Sequence, residues 1–341
     1  MEKTVTLDEI YQPVKGDLSR VEVMVREVSR AKLGWLPREL AQGLREGGRV
    51  SELLTHILTS EGKRLRPALT LLSAKLYDYQ PEKVLPMATA IEVLHIATLV
   101  HDDAIDNSSL RRGRPTINSI WGDEKAILLG DYLVAQSGEL AGATGNRTVV
   151  KRLYQTLMTI ASGELAQAFS AFNLEKSERY YLNRISSKTA SLLALSTECG
   201  GILSQAPRGA VKALKDYGFN IGIAFQIVDD ILDYIGTTAE MGKPVGSDLR
   251  EGTITLPVLL LVKNQPDAKD LLDDIIRNRN REANTKKVSE LIRSSDRVIG
   301  ECYDMAANYR GEAKESLKRL PDKPARKSLF DLADFMVQRR R

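Results

Sequence analysis

The chain is 341 residues long, 43% hydrophobic and 28% charged, and its 49 Lys and Arg against 45 Asp and Glu leave a net charge of +4. That length is enough to bury a large core, and the charge is too balanced to suggest a nucleic-acid partner. Two cysteines, Cys199 and Cys302, and three histidines, His56, His95 and His101, have neither the number nor the spacing for a disulfide scaffold or a zinc site, so the thiols are expected to be reduced in a cytoplasmic protein.

The first thirty residues open MEKTVTLDEIYQPVKG and hold no apolar stretch of the secretory kind. Helical periodicity then dominates. It predicts helices over 17–32 and 37–58, and over 64–79 and 82–106 after the start of a basic GKRLRP segment. A polar loop at 107–118 (NSSLRRGRPTIN) leads into helices over 122–141, 147–173, 176–204 and 208–235. A second polar loop at 236–255 (GTTAEMGKPVGSDLREGTIT) precedes helices over 256–263, 265–280, 284–317 and 324–339. The stretches 87–105 and 219–235 are apolar nearly all round, as in helices buried at the middle of a bundle. No alternating run predicts a strand, and the longest apolar stretch, around Leu256–Val262, is far short of the ~20 residues of a membrane span. Composition shows no break, so residues 1–341 are expected to form one all-α domain, a single large helical bundle.

The two apolar helices end in the same acidic pattern. Asp102-Asp103-x-x-Asp106 closes the first and Asp229-Asp230-x-x-Asp233 closes the second. On a helix these three carboxylates fall within an arc of roughly 100°. A charged patch of that kind at the end of an apolar helix needs a cation. Hard oxygen ligands without cysteine or paired histidine suit Mg²⁺, which typically bridges carboxylates to a substrate phosphate. A third acidic pair, Asp273-Asp274, has Arg277 one turn on and reads as a self-neutralised surface face. The repeat of the motif is compatible with an internal duplication, though nothing else in the two halves aligns.

Basic residues gather around the acidic ends: Lys63, Arg64 and Arg66 in GKRLRP, Arg111, Arg112 and Arg114 in RRGRP, then Lys188 and Lys243. Arginine offers phosphate a planar fork and lysine a point charge. Together they carry more charge than one phosphate needs, which suggests two diphosphates. Both polar loops place basic residues and glycines directly after an acidic helix, where a rigid scaffold positions a binding loop.

With these motifs in hand, the chain resembles the trans-isoprenyl diphosphate synthases over roughly residues 50–338. GKRLRP, the HDDAID and RRGRPT block, Lys188-Thr189-Ala190, the FQIVDDILD block and GKPVGSDLREG with TLP occur in that family's order and spacing. The resemblance implies an all-α bundle of the isoprenoid synthase type with a central substrate cavity, a homodimer, and head-to-tail joining of an allylic diphosphate to isopentenyl diphosphate. It implies that Asp102, Asp103, Asp106, Asp229, Asp230 and Asp233 hold Mg²⁺ on the allylic diphosphate from two facing helices. Arg111, Lys188 and Lys243 would bind the same diphosphate, with Thr189 and Gln226 near the reacting end. Lys63, Arg66, His95 and Arg112 would hold isopentenyl diphosphate, and His101 would be a packing neighbour. One departure stands out: Thr253 occupies a position where the family often carries lysine.

The resemblance also bears on product length. The growing tail would run from the first motif back along its helix. Ala97 and Thr98, about 6–7.5 Å before Asp102 along the axis, are small where short-chain members carry Phe or Tyr. Leu94 or Ile91 could form a deeper floor. A medium- or long-chain all-trans polyprenyl product is expected, with geranylgeranyl or farnesyl diphosphate as the alternative. A terpene cyclase, a non-catalytic synthase subunit and a diphosphate hydrolase fit less well. Both acidic motifs are intact, and the full set of basic residues is present.

Overall fold

The computed structural model describes residues 5–29, 49–59, 62–169, 177–236 and 245–338. Lys243 and the Arg339–Arg341 tail lie outside them.

The described chain begins with a short helix, α1 (Leu7–Ile10), started by a Thr6–Glu9 capping box, and continues through a 3₁₀ turn into α2 (Lys15–Val28). Next come α3 (Arg49–Leu58) and α4 (Leu65–Ala74). The first of two central helices, α5 (Pro81–Ile105), starts with proline at its first position, where the missing N–H is harmless. After it the chain forms a two-residue ladder of β1 (Leu110–Arg111) and β2 (Arg114–Pro115), then α6 (Ile117–Trp121), α7 (Asp123–Gly142) and α8 (Arg147–Phe169). Helix α9 (Glu178–Ile185) passes through a π-turn at Ser186–Ala190 into α10 (Ser191–Leu203). The second central helix is α11 (Arg208–Ile235), and α12 (Ser247–Arg250) follows within the expected polar loop. The remainder is α13 (Leu256–Asn264), α14 (Ala268–Ile276), α15 (Arg281–Arg293), α16 (Asp296–Leu317) and α17 (Pro324–Gln338).

The all-α architecture agrees with the sequence reading; several boundaries do not. The helix expected over 284–317 is divided, because Ser295 starts a new helix by accepting a hydrogen bond from the Val298 N–H. The loop at 107–118 contains a tight hairpin. Arg112 and Gly113, at φ 52° and 74°, turn the chain between strands paired Leu110 to Pro115 and Arg111 to Arg114. Two successive left-handed residues are what a two-residue hairpin turn requires.

Helix α5 packs along α7 and α4, and α11 packs along α10 and α16. One apolar cluster extends from Ile10 to Val337. Fully buried leucines such as Leu69, Leu71 and Leu72 each contribute about 1.5–3 kcal/mol to it. By length and composition α5 could cross a membrane, yet 72% of its most apolar window is buried in this fold, as for a core helix. The helices approach closely where glycine permits it. A Cβ at Gly222 of α11 would stand 2.5 Å from Ala190 Cα, so α11 lies directly against the π-turn. Both cysteines are buried and free, and burial raises both thiols, Cys302 to about 12.

Candidate active site

A cavity of about 900 Å³ opens between α4, α5, α11, α17 and the hairpin. Lys63 and Arg66 reach it from the 62–66 turn, His95 from α5, and Arg111, Arg112 and Arg114 from the hairpin, opposite Asp103 and Asp229. The structure therefore brings together residues far apart in the chain that the motifs had suggested separately. The Nε of Arg66 is buried there without a hydrogen-bond partner. An unsatisfied buried donor on a cavity wall is a seat for an anionic ligand. Burial lowers Arg66 to about 10, with Arg112 adding to the shift and Glu92 and Asp229 opposing it. Enclosure, then Arg66 and Arg112, hold His95 well below its ordinary value, so its imidazole is neutral.

The first acidic motif already has cations. Asp103, buried at the end of α5, is gripped by Arg111, whose Nε donates to its two oxygens at 2.8 and 2.9 Å and whose Nη2 lies 2.7 Å from Oδ1. Burial pulls Arg111 down, but Asp103 outweighs it and the guanidinium is held above its usual value. Asp102 lies 3.2 Å from Lys188 Nζ, which also reaches Glu164 of α8 at 2.9 Å. Asp106 caps α5 and is exposed. The cation that such a patch needs is thus supplied in part from within the chain: Arg111 and Lys188, eight and 86 positions on from the aspartates they face, pair with it.

The π-turn sets the geometry opposite. An extra residue in the turn re-aims the side chains, a feature frequent at functional sites. Lys188 points at Asp102, while the Thr189 hydroxyl donates to Gln226 Oε1 at 2.6 Å and Gln226 Nε2 donates to Asp230 Oδ1 at 2.8 Å. Lys188 therefore touches the first motif, while its neighbour Thr189 reaches the second through Gln226. The second motif splits. Asp229 faces the cavity. Asp230 is buried against Gln226, with Arg184 at 3.9 Å, and burial raises its carboxyl to about 7. Asp233 accepts from Ser247 Oγ at 2.9 Å and from the Asp248 N–H at 3.3 Å, so it ties α11 to α12.

Among the described residues no three acidic, histidine or cysteine groups converge as a cation cage. This does not count against Mg²⁺, which usually takes one or two carboxylates, several waters and substrate phosphates. Asp102, Asp103, Asp106 and Asp229 offer that donor chemistry. In the third acidic pair, Asp273-Asp274, the partner of Asp274 is Arg279 at 3.8 Å rather than Arg277. Thr253 accepts a weak bond from Gln167 at 3.5 Å.

Residues 48–294 match the family model described as polyprenyl synthetase. The chain belongs to the polyprenyl synthetase family. It is 38% identical over 335 residues to heptaprenyl diphosphate synthase component 2 of Geobacillus stearothermophilus, covering 98% of this chain and 99% of the relative. It is 40% identical over 304 residues to geranylgeranyl diphosphate synthase of Saccharolobus solfataricus, covering 86% and 91%. The solved polyprenyl synthase of Caulobacter crescentus, complexed with calcium and isoprenyl diphosphate, superposes with a TM-score of 0.90 at 34% identity, covering 100% of each chain. Membership in the synthetase family makes the chain a prenyltransferase.

Sequence reading missed several residues of this site. Glu92 and Glu164 pair with Arg64 and Lys188, and Arg184 faces Asp230. His56 receives no role in the sequence, yet its Nε2 is 2.8 Å from the Pro115 carbonyl, where it steadies the hairpin. Only Glu92 carried a local signal, one helical turn before His95. The others become legible only as long-range contacts.

Proposed function

We propose that the chain condenses an allylic diphosphate with isopentenyl diphosphate, repeatedly, to a medium- or long-chain all-trans polyprenyl diphosphate. The observation that carries this is the single cavity in which Asp103 and Asp229, from two central helices, face Lys63, Arg66, Arg111 and Arg112. Such a site has room and charge for two diphosphates.

Asp102, Asp103, Asp106 and Asp229 would hold Mg²⁺, with Asp230 and Asp233 supporting α11. When bound, the ions neutralise charge on the departing diphosphate. Arg111 and Lys188, with Lys243, donate to the same oxygens, so the allylic C–O bond breaks with its electron pair leaving on the diphosphate. Lys63, Arg66, Arg112 and neutral His95 orient isopentenyl diphosphate, whose double bond forms the new C–C bond to the allylic carbon. Loss of a proton to the released diphosphate restores a double bond. Leu99, Phe225, Leu332 and Phe335 line the cavity and exclude water, which would otherwise trap the cation as an alcohol. Thr189 and Gln226 would set the reacting end.

A homodimer in the cytoplasm, of single-domain chains, completes the proposal. Ile127 and Leu128 on α7, with Tyr154, Met158 and Leu165 on the adjacent α8, are exposed apolar side chains that support an interface there. The relative named component 2 favours a second reading, in which that surface takes an unlike subunit.

Purified chain with Mg²⁺, farnesyl diphosphate and labelled isopentenyl diphosphate tests all of this. Label in an extractable chain longer than geranylgeranyl is expected. No extractable label from the chain alone favours the two-component reading, and none after adding a candidate partner sinks the synthase assignment.

A further inference from the structure

Glu92 is the one carboxylate on the described cavity wall that belongs to neither aspartate motif, and it is 5% exposed. A buried negative charge beside a seat for an anion repels the ligand, so its presence needs a reason. The reason lies in its partner. Its Oε1 accepts a hydrogen bond from Arg64 Nη1 at 2.9 Å. Arg64 opens α4 in the left-handed region, φ 47° and ψ 37°, a backbone that a side-chain-bearing residue adopts only when its surroundings hold it there.

That turn carries the cations. Lys63 and Arg66 flank Arg64, and the Tyr11 hydroxyl donates to the Lys63 carbonyl at 3.0 Å. A Cβ at Gly62 would lie 3.0 Å from Arg112 Nη1, so the turn also seats the hairpin arginine. Glu92 further favours the charged forms of Arg66 and Arg112 against burial, which lowers both.

We propose that Glu92 is a positioning residue for the isopentenyl diphosphate half of the site, fixing the 62–66 turn through Arg64 so that Lys63 and Arg66 are in place before substrate arrives. The inference rests on the reaction proposed above.

Steady-state kinetics on Glu92→Gln, Arg64→Gln and the double variant test it. Loss of one charge-assisted bond predicts a KM for isopentenyl diphosphate raised about tenfold or more, with kcat and the KM for the allylic substrate within about twofold. Because both single changes break the same link, the double variant should be no worse than the poorer single one. An unchanged or lowered KM for isopentenyl diphosphate in Glu92→Gln, or strictly additive effects, overturns the inference. So does a joint fall of kcat and rise of both KM values accompanied by a lowered melting temperature, which marks a merely structural role. If Glu92→Gln does not fold, Glu92→Asp, which keeps the charge with shorter reach, must show the same split or the inference fails. An active wild type with unmoved variants sinks this inference alone, whereas a wild type inactive even with a candidate partner subunit sinks the reaction reading first.

Discussion

Lys188 bridges Asp102 and Glu164, so removing it takes a cation from the place where leaving-group charge is expected to build. Lys188→Ala should lower kcat by about 10²–10³ while leaving a folded protein, measured by single-turnover incorporation of isopentenyl label. A kcat within threefold of wild type would remove Lys188 from the mechanism. His95 makes a separate prediction, about stability. Its folded pKa is depressed, so below the ordinary value the unfolded chain binds a proton that the folded chain refuses. Stability is therefore present above about pH 6.5 and lost as pH falls, at up to about 1.4 kcal/mol per unit from this group. Urea titrations at pH 7 and 5.5 should show a smaller drop for His95→Gln than for the native protein. Equal drops would mean that His95 titrates normally.

At the scale of elements, two local distortions aim the chemistry. The extra residue in the π-turn at Ser186–Ala190 shifts the facing of the side chains it carries, with Lys188 on Asp102 and Thr189 on Gln226. The hairpin at 110–115 is a two-residue ladder, marginal by itself, and is held by Asp103 on one side and His56 on the other. His56→Ala should weaken isopentenyl diphosphate binding by roughly one hydrogen bond's worth, about 0.5–1.5 kcal/mol, seen as a raised KM. On α5, Leu94 and Ala97 are buried and share the helix face of His101, whose ring lies against Gly130 of α7, while Thr98 is part-exposed between that face and the cavity. Ala97→Phe fills that face and is expected to shorten the product, read by chromatography of the dephosphorylated chains. Unchanged length would refute the path assigned to the tail.

At the scale of the whole molecule, the first acidic end is already compensated from within by Arg111 and Lys188, and Asp230 and Asp233 of the second are held by Gln226, Arg184, Ser247 and the Asp248 N–H, so stripping Mg²⁺ should abolish turnover with little change in melting temperature. Added Mg²⁺ together with an unreactive diphosphate should raise stability by about 2.7 kcal/mol at a hundredfold excess over Kd, whereas Mg²⁺ alone does far less. A large melting shift with metal alone would point to a preformed cation cage instead.

How much of this was legible beforehand follows from the range of each interaction. The apolar faces of α5 and α11, the all-helical class and the stock of acids and bases were readable because helical period and charge are properties of neighbouring residues. The split between α15 and α16 was not, since a cap at Ser295 is a small signal inside a long periodic stretch. Nor was the division of labour within the second motif: identical aspartates face a cavity, Gln226 and α12 because of what packs beside each. The sequence alone determined which chemical groups exist and which helix each rides on. Only the tertiary structure decided that Arg111 answers Asp103, Lys188 answers Asp102 and Glu92 answers Arg64, because pairing depends on distances in space that the folded packing sets.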